Sequence, residues 1–547
     1  MPVIGIDLGT TFSAMAYLDP NGTPATIPNA EGDMTTPSVV LFEKSGDIVV
    51  GREARRAALS EPNSVAECAK RYIGDPYYPK LINGSRFSPV EISALIIVKL
   101  IQDARKKVGG IDGVVITVPA YFDEARRQAT SRAGALAGVK VIDIINEPTS
   151  AALAYAYRGF TAPGGRSIGS DALPSDARPR IVLVYDLGGG TFDVTALRIQ
   201  GKNLTVIATA GDVQLGGRDW DDRLFKHMAD QFLHSNGEDP RDHPVSAQNL
   251  MLAAEETKKT LSARRQTNYM IAHAGKQFSG EITRVQFEEL TQDLLYRTES
   301  RLSRIIKQAN LTWEQVDRVL AVGGSTRMPQ VLEMLKRVSG TEADCSLSPD
   351  EAVAQGAAIH AAICATNRRS APTPRAVGPA PQPAGSRPPP LPPAFKPPVA
   401  DLLGSIHTTN VNAHSLGVVV TTQENQQRVS RLVPQNSPLP CAVRKQFGTV
   451  RDRQNMVTVQ IVEGESRDPR ECILVGQCTI EQLPDGLPKG SPVEVTFRYD
   501  NSGRVHVAAK EVTSGKGAAV SIERGVGAAQ KERDAEMARH VAQARVS

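Results

Sequence analysis

The rhythm of apolar and polar positions changes twice along this chain of 547 residues. "VIGIDLGTTFSAMAYL", residues 3–18, is an apolar β-branched run, then Asp-Leu-Gly with threonines, then a second alternating run. "IVLVYDLGGGTFDVTALRI", residues 181–199, repeats that order. Each phrase reads as a strand, a glycine turn and a returning strand. Around them, strand-like and helix-like stretches alternate. "GVVITVPAYF" predicts a buried strand leading into the helical "DEARRQATSRAGALAG", which ends at Gly138, and "VKVIDIINEP" predicts the next strand. "INEPTSAALAYAY" opens a helix of small residues that can pack closely, and residues 286–309 form one amphipathic stretch. The alternation over residues 1–365 predicts an α/β domain.

The rhythm then stops. Residues 370–398 hold 12 prolines in 29 positions, so a segment over 366–409 builds no core and is expected to be an extended, mobile linker. Its "RPPPLPP" has the shape of a polyproline ligand, although a semi-rigid spacer is the plainer reading. After it, "MVTVQIVEGE" and "PVEVTFRYDNSGRVHVAAKEV" alternate strictly, with Asp500-Asn501-Ser502-Gly503 as a hairpin turn. Residues 410–523 therefore predict an antiparallel β-sandwich. The stretch 524–547 predicts one short helix with a weak apolar face at Met537 and Val541.

Composition narrows the function classes. A net charge of +4 is small for this length, and no basic run with interleaved aromatics occurs, which argues against nucleic-acid binding. Six cysteines are scattered without CxxC spacing, so reduced packing thiols are expected rather than disulfides or a zinc site. The start lacks the pattern of a signal peptide, and "ALIIVKLI", the most apolar stretch, is short and carries Lys99. A cytoplasmic protein with no membrane segment is the expectation.

The two glycine turns carry the candidate chemistry. Gly5, Gly9 and Gly188 to Gly190 permit close backbone approach, and successive N–H groups in such turns form an anion nest to which threonine hydroxyls add donors. A carboxylate beside a polyphosphate requires a cation between them, so Asp7 and Asp186 read as Mg²⁺ partners acting through water. One such turn alone is an ordinary hairpin; two matched copies with Asp in the same place point to a triphosphate clamp. "VLAVGGSTRMPQVLEML" adds a strand, a Gly-Gly-Ser turn and a helix suited to a base or ribose. Neither GxxxxGK[ST] nor GxGxxG occurs.

"GIDLGTTFS", "VITVPAYF", "IINEPTSAALAY", "YDLGGGTFDVT", "GGSTRMP" and "SPDEAVAQGAA" follow the order found in the seventy-kilodalton heat-shock chaperones of the DnaK type, which this chain resembles. The resemblance covers residues 1 to about 362 and resumes from "NAHSLGVVV" to "VHVAAKEV". It implies an actin-like, ribonuclease H-like two-lobed ATPase domain before the sandwich, with ATP or ADP, Mg²⁺ and K⁺ as cofactors. It also implies that Asp7, Gly9, Thr10, Thr11, Asp186, Gly188, Gly189, Gly190, Thr191 and Asp193 line the phosphates and metal. Lys70, in "AKRYIG", would be the catalytic lysine, working with Thr191, Asp186 and Asp193. Glu255, Lys258, Lys259 and Ser262 would hold the adenosine, completed by Gly323, Gly324, Ser325, Arg327 and Asp350, and Gly217 would also bind the nucleotide. Phosphoryl transfer asks for positioning and charge stabilisation, which these residue types supply. Taken alone, Lys70 is a solvated helix-end lysine beside Arg71.

The resemblance further implies a relay through Pro119, Arg127 and Glu147; the plainer readings are a strand end for Pro119 and a surface helix charge for Arg127. It places a peptide cleft at Val418, Phe447, Val450, Val457 and Val459, which could equally be core positions of the sandwich. Implied partners are extended hydrophobic peptides of unfolded proteins, a J-domain co-chaperone and a nucleotide exchange factor. Three stretches depart from the family pattern. Only "VADLLGSI" stands for the usual linker, with Asn412-Ala413-His414 in place of Thr-Pro-Leu; residues 158–180 make a longer loop; and the helical lid is almost missing. Peptide held without a lid should leave quickly. An actin-like scaffold, a small-molecule kinase and a specialised adaptor are the rival readings.

Overall fold

The two similar phrases fold into the same unit twice in a computed structural model, which describes residues 2–161, 178–370, 395–422, 424–500, 505–521 and 528–547. Strand Val3–Asp7 pairs antiparallel with Phe12–Leu18 and parallel with Gly113–Val118, which in turn pairs parallel with Val141–Asn146. Arg180–Leu187 likewise pairs antiparallel with Phe192–Gln200 and parallel with Arg318–Val322. Both parallel strands are covered on two faces, which is why "GVVITV" and "RVLAV" are apolar without alternation. The long loop after Thr161 and most of the proline-rich stretch lie outside the described residues, as does the turn tip 501–504.

Helices Glu147–Thr161 and Ala352–Ser370 pack on each other and on these sheets through small side chains. Ala354 and Ala358 meet Ala14 and Ala16, while Ala357 and Ala361 meet Val115 and Ile145. The approach is so close that a Cβ on Gly356 would stand 1.8 Å from the Ser150 carbonyl oxygen. One on Gly5 would stand 2.2 Å from the Ala358 amide nitrogen. The expected amphipathic stretch over 286–309 is two helices, Arg284–Leu290 and Gln292–Gln308. They part at Thr291, whose buried hydroxyl turns back to the Phe287 carbonyl at 2.8 Å and accepts from Gln330 at 3.2 Å.

The segment before the sandwich is built into the second sheet. Helix Pro397–Gly404 buries Leu403, Ile406 follows into the same core, and His407–Thr409 pairs parallel with Asn203–Thr205. The sandwich then packs Leu416–Thr421, Gln427–Val433, Val457–Glu463 and Ile473–Ile480 in one sheet. Cys441–Gly448, Pro492–Tyr499, Val505–Glu511 and Gly517–Ser521 form the other. Alternation decides its core: Val493, Val495 and Phe497 point inward, and the residues between them are less buried.

Two of the residues that depart from the family pattern, Asn412 and His414, shape one of the contacts between the sandwich and the α/β part. Asn412 is buried and donates to the His414 and Pro434 carbonyls, fixing the bend before His414. The His414 ring packs on Tyr121 with centroids 4.3 Å apart, and its Nε2 lies 3.1 Å from the Tyr121 carbonyl oxygen. Asn436 Oδ1 accepts from the Thr209 amide at 3.0 Å, and Asn410 approaches Thr149 at 3.3 Å. The expected C-terminal helix runs over Ala528–Gln543 and packs on the helices Pro89–Val108 and Glu124–Leu136, with Val541 buried. Beyond it, the backbone of Arg545 and Ser547 bonds the edge strand Ile48–Val50.

Two outcomes follow from this packing. Gly356→Ala should cost about 1–3 kcal/mol, read as a lowered melting temperature, because no side chain can yield in front of a backbone carbonyl; an unchanged melting temperature would contradict the close approach. Burial holds the His414 imidazole below its ordinary pKa, although the Tyr121 carbonyl, Asp123 and Glu465 act the other way and Arg127 reinforces the shift. The docked state therefore binds fewer protons than the undocked one. Docking should be intact above about pH 6.5 and weaken as pH falls through that value. Small-angle scattering should show the radius of gyration rise across that range, and His414→Phe should suppress the rise.

Candidate active site

A cleft of about 510 Å³ opens where the two glycine turns meet. They interlock: a Cβ on Gly189 would strike Thr11 at 2.2 Å, and one on Gly190 would strike Thr10 at 2.3 Å. Gly188 and Gly189 carbonyls accept from the Gly217 and Arg218 amides at 2.9 and 2.8 Å, so the helix Gly217–Asn236 begins directly against the second turn. Gly323 has φ 85° and lies where a Cβ would stand 2.4 Å from the Leu187 carbonyl oxygen, bringing the "VGGS" turn onto the end of that strand. Ser325 donates to the Gly188 carbonyl at 3.0 Å. Three backbone turns thus face one space, the arrangement that binds phosphates.

Charge is unbalanced at the cleft floor. Lys70, in the short turn Ala69–Tyr72, is buried with its Nζ 2.5 Å from Glu147 Oε1. Asp7 accepts from the Thr117 hydroxyl at 2.7 Å; Asp186 and Asp193 are register partners across their hairpin, and Asp193 accepts from the Tyr121 amide at 3.0 Å. Burial raises the pKa of Asp7 and lifts Glu147 to about 6, against the opposing pull of Lys70. Burial, reinforced by Glu147, raises Asp186 well above its ordinary value and Asp193 to about 8. The common cause is burial, which the single Lys70 ammonium does not offset for four carboxylates. Oxygen ligands with a deficit of positive charge suit a hard cation such as Mg²⁺.

The rest of the cleft is lined by the helix Pro244–Ala263 and the turn after Val322. Lys258 bridges Asp221 at 2.7 Å and donates to the Gly217 carbonyl at 2.9 Å. Burial pushes Glu255 up, but Arg55 at 2.6 Å and Lys259 at 2.8 Å outweigh it and hold the carboxyl at about 2. Arg327 pairs with Asp350 at 2.5 Å.

Most expected nucleotide residues line this cleft: Asp7, Gly9, Thr10, Thr11, Lys70, Asp186, Gly188, Gly189 and Thr191 on the phosphate side. Gly217, Glu255, Lys258, Lys259 and Ser262 face it from the helices, with Gly323, Gly324, Ser325, Arg327 and Asp350 opposite. Gly190 and Asp193 do not line it. Gly190 is covered by Thr10, and Asp193 lies beneath the floor, turned to the Tyr121 amide. Glu147, read from sequence as a relay residue, lines the cleft itself. Pro119 is buried just past the strand Gly113–Val118, and Arg127 reaches the Asn146 side chain at 2.5 Å and the Phe122 carbonyl at 3.3 Å. Sequence reasoning missed Thr35, Arg218, Asp221 and Met328. Arg218 and Met328 adjoin expected residues and could have been found by adjacency; Asp221, one helical turn from Gly217, and Thr35 carry no such signal. It also missed Arg71, which donates to the Gly190 carbonyl at 3.0 Å and pairs with Asp219, tying the two sides together.

In the sandwich, two of the five expected cleft residues belong to the core: Val418 and Val459 are buried against neighbours from both sheets. Alternation points them inward along with Ile461 and Val475. Phe447 and Val457 are half-buried, and Val450 is exposed.

The family model described as Hsp70 protein matches residues 3–84, 75–373 and 403–546. The chain belongs to the Hsp70 family. It is 39% identical to the chaperone protein DnaK of Thermotoga neapolitana over 523 residues, which is 94% of this chain and 79% of that protein. The chaperone protein DnaK of Thermosipho melanesiensis is 37% identical over 522 residues, with the same shares covered. The protein is thus an ATPase and an ATP-dependent chaperone, with the family's actin-like ATPase domain followed by a β-sandwich. Like the family, it uses ATP and ADP with Mg²⁺. The unmatched span, 374–402, contains most of the proline-rich stretch. Among the described residues, no helix is long and apolar enough to cross a membrane.

The bridge from Arg55 to Glu255 joins the two sides at the cleft, with both side chains about one-fifth exposed. A pair of that kind is worth about 0.5–1 kcal/mol. Arg55→Ala should therefore speed release of a fluorescent ADP analogue about two- to fivefold in stopped flow, and an unchanged rate would mean that the bridge does not hold the cleft closed.

Proposed function

We propose that this Hsp70 hydrolyses ATP at the floor built around Lys70 and transmits the nucleotide state to the sandwich through Tyr121. In this reading the glycine turns and Thr10, Thr11 and Thr191 hold the phosphates, and the Lys70 ammonium positions the attacking water and offsets charge on the γ-phosphate. Asp7 and Asp186 hold Mg²⁺ through water; when bound, it neutralises phosphate charge. K⁺ is the further cation that the carboxylate excess would accept. Lys258, Lys259, Ser262 and Arg327 face the adenosine. Electrostatic positioning of this kind is what phosphoryl transfer requires.

One observation carries the coupling. The Tyr121 amide donates to Asp193 under the floor, and the carbonyl of the same residue meets His414 of the sandwich. Any nucleotide-driven change in the charge at Asp193 is thus one residue away from the docking contact. Arg127, through Asn146 and the Phe122 carbonyl, braces that turn beside Glu147 and Pro119.

For peptide binding, Phe447, Val450 and Val457 supply apolar surface at the sandwich rim, whereas Val418 and Val459 become available only if the two sheets part. Extended hydrophobic segments of unfolded proteins are the clients in this reading, with a J-domain protein and an exchange factor as helpers and the cytoplasm as the compartment. An actin-like scaffold would leave the docked sandwich without a task.

Lys70→Ala should abolish single-turnover hydrolysis while nucleotide binding survives, since the turns that grip the phosphates do not depend on this side chain. Its removal also leaves Glu147 buried without its partner, so Lys70→Arg serves as a companion that keeps the charge. Hydrolysis at the normal rate in Lys70→Ala would overturn the assignment.

A further inference from the structure

Helix Ala352–Ser370 is built almost entirely of small and apolar residues where it is buried, and two residues interrupt that composition on one face. His360 and Cys364 stand one helical turn apart and therefore on the same side. Asp143, from the neighbouring strand Val141–Asn146, meets them there. His360 Nε2 lies 2.9 Å from Asp143 Oδ2 and 3.6 Å from Cys364 Sγ, and the three donor atoms lie within 4.8 Å of one another. None of the three lines the nucleotide cleft.

One ordinary account fits poorly. In a nucleophile relay, the carboxylate engages one ring nitrogen and the thiol engages the other. Here both approach Nε2, while Nδ1 is buried with no hydrogen-bond partner. An ion pair accounts for Asp143 and His360, and the one-turn spacing brings the Cys364 sulfur beside the same nitrogen, so a carboxylate, an imidazole and a thiol share one small space. A carboxylate oxygen, an imidazole nitrogen and a sulfur within 4.8 Å of one another make a donor set that one metal ion can span. A tetrahedral Zn²⁺ separates neighbouring N and S ligands by about 3.6 Å and N and O ligands by about 3.4 Å. The sulfur spacing already matches, and the carboxylate would need to open by about half an ångström.

We propose that Asp143, His360 and Cys364 form a zinc-binding site with one open position for water. The donor set decides the metal: thiolate and imidazole suit Zn²⁺ and not Mg²⁺, which separates this site from the carboxylate floor of the nucleotide cleft. The carboxylate is already oriented, because Asp143 Oδ1 accepts from the Ile144 amide at 2.8 Å and leaves Oδ2 for the metal. Asp143 and His360 keep 25% and 12% of their side-chain surface exposed, which leaves a path for the ion and its water. A bound ion would tie the helix that carries Gly356 to the strand next to Gly113–Val118, and so fix the packing between the lobe and the helix leading toward the linker.

The test uses the full chain, stripped of metal and free of nucleotide. Zn²⁺ should bind at one equivalent in competition with a chromophoric chelator. Co²⁺ should give the intense near-ultraviolet band of a cobalt–thiolate bond. Cys364→Ser and His360→Gln should each weaken Zn²⁺ at least about tenfold. Cys364→Ser should also remove the cobalt–thiolate band, while Cys345→Ser, at an exposed position outside the cluster, should leave both readouts unchanged. Basal ATPase rates of these variants check that they are folded. Absence of stoichiometric binding, an affinity unmoved by either cluster variant, or a thiolate band that survives Cys364→Ser would overturn the proposal.

Discussion

The buried ammonium of Lys70 faces more negative charge than it can balance, and the architecture of the α/β part follows from keeping that imbalance in place. Opposite charges about 4 Å apart are worth about 4 kcal/mol at an effective dielectric near 20, so one lysine stabilises one close carboxylate well and three others poorly. Burial raises the pKa values of Asp7, Asp186 and Asp193, and for Asp186 and Asp193 the neighbouring carboxylates add to it. Such a floor is costly in the empty protein and becomes favourable when cations arrive with a polyphosphate. The interlocked glycine turns put the anion nest directly above it. The same constraint explains the small-residue packing below, because Gly5 and Gly356 allow the strand bearing Asp7 and the helix headed by Glu147 to approach one central helix.

The floor also reaches outward. Glu147 begins a helix whose preceding residue, Asn146, receives the Arg127 side chain, and Tyr121 joins Asp193 to His414 through one peptide unit on each side. The sandwich meets the α/β part through the His414–Tyr121 ring pair, polar contacts at Asn410, Gln435 and Asn436, and Val411, which enters the α/β core. In the segment before it, Leu403 and Ile406 are buried and His407–Thr409 pairs into the second sheet.

Much of this was legible in the sequence because the signals were local. Asp-Leu-Gly turns, strict alternation in the sandwich and small residues in the central helices each reflect short-range geometry, and the structure places them accordingly. What escaped reading depends on long-range contact. Thr35 reaches the cleft only through the fold, Arg71 shows its role only through its contacts with Gly190 and Asp219, and Asp193 was assigned to the lining although it is turned to the Tyr121 amide beneath the floor. Val418 and Val459 share the alternation of true core positions, so no pattern in the sequence could separate a cleft from a core there. Asn412 and His414, which look like losses from the family pattern, form the docking contact, and only Tyr121, nearly three hundred residues away in sequence, shows why. The three donors of the Asp143 cluster escaped for the same reason, since Asp143 is remote from the helix that supplies the other two.

The central claim is that charge at the cleft floor controls the sandwich, and its most direct test is the affinity of one extended hydrophobic peptide measured on the full chain with ATP and with ADP. Coupled sites typically differ by about 1–3 kcal/mol, so the account predicts peptide affinities that differ about five- to 150-fold between the two nucleotides. Equal affinities, with ATP hydrolysis intact, would contradict it.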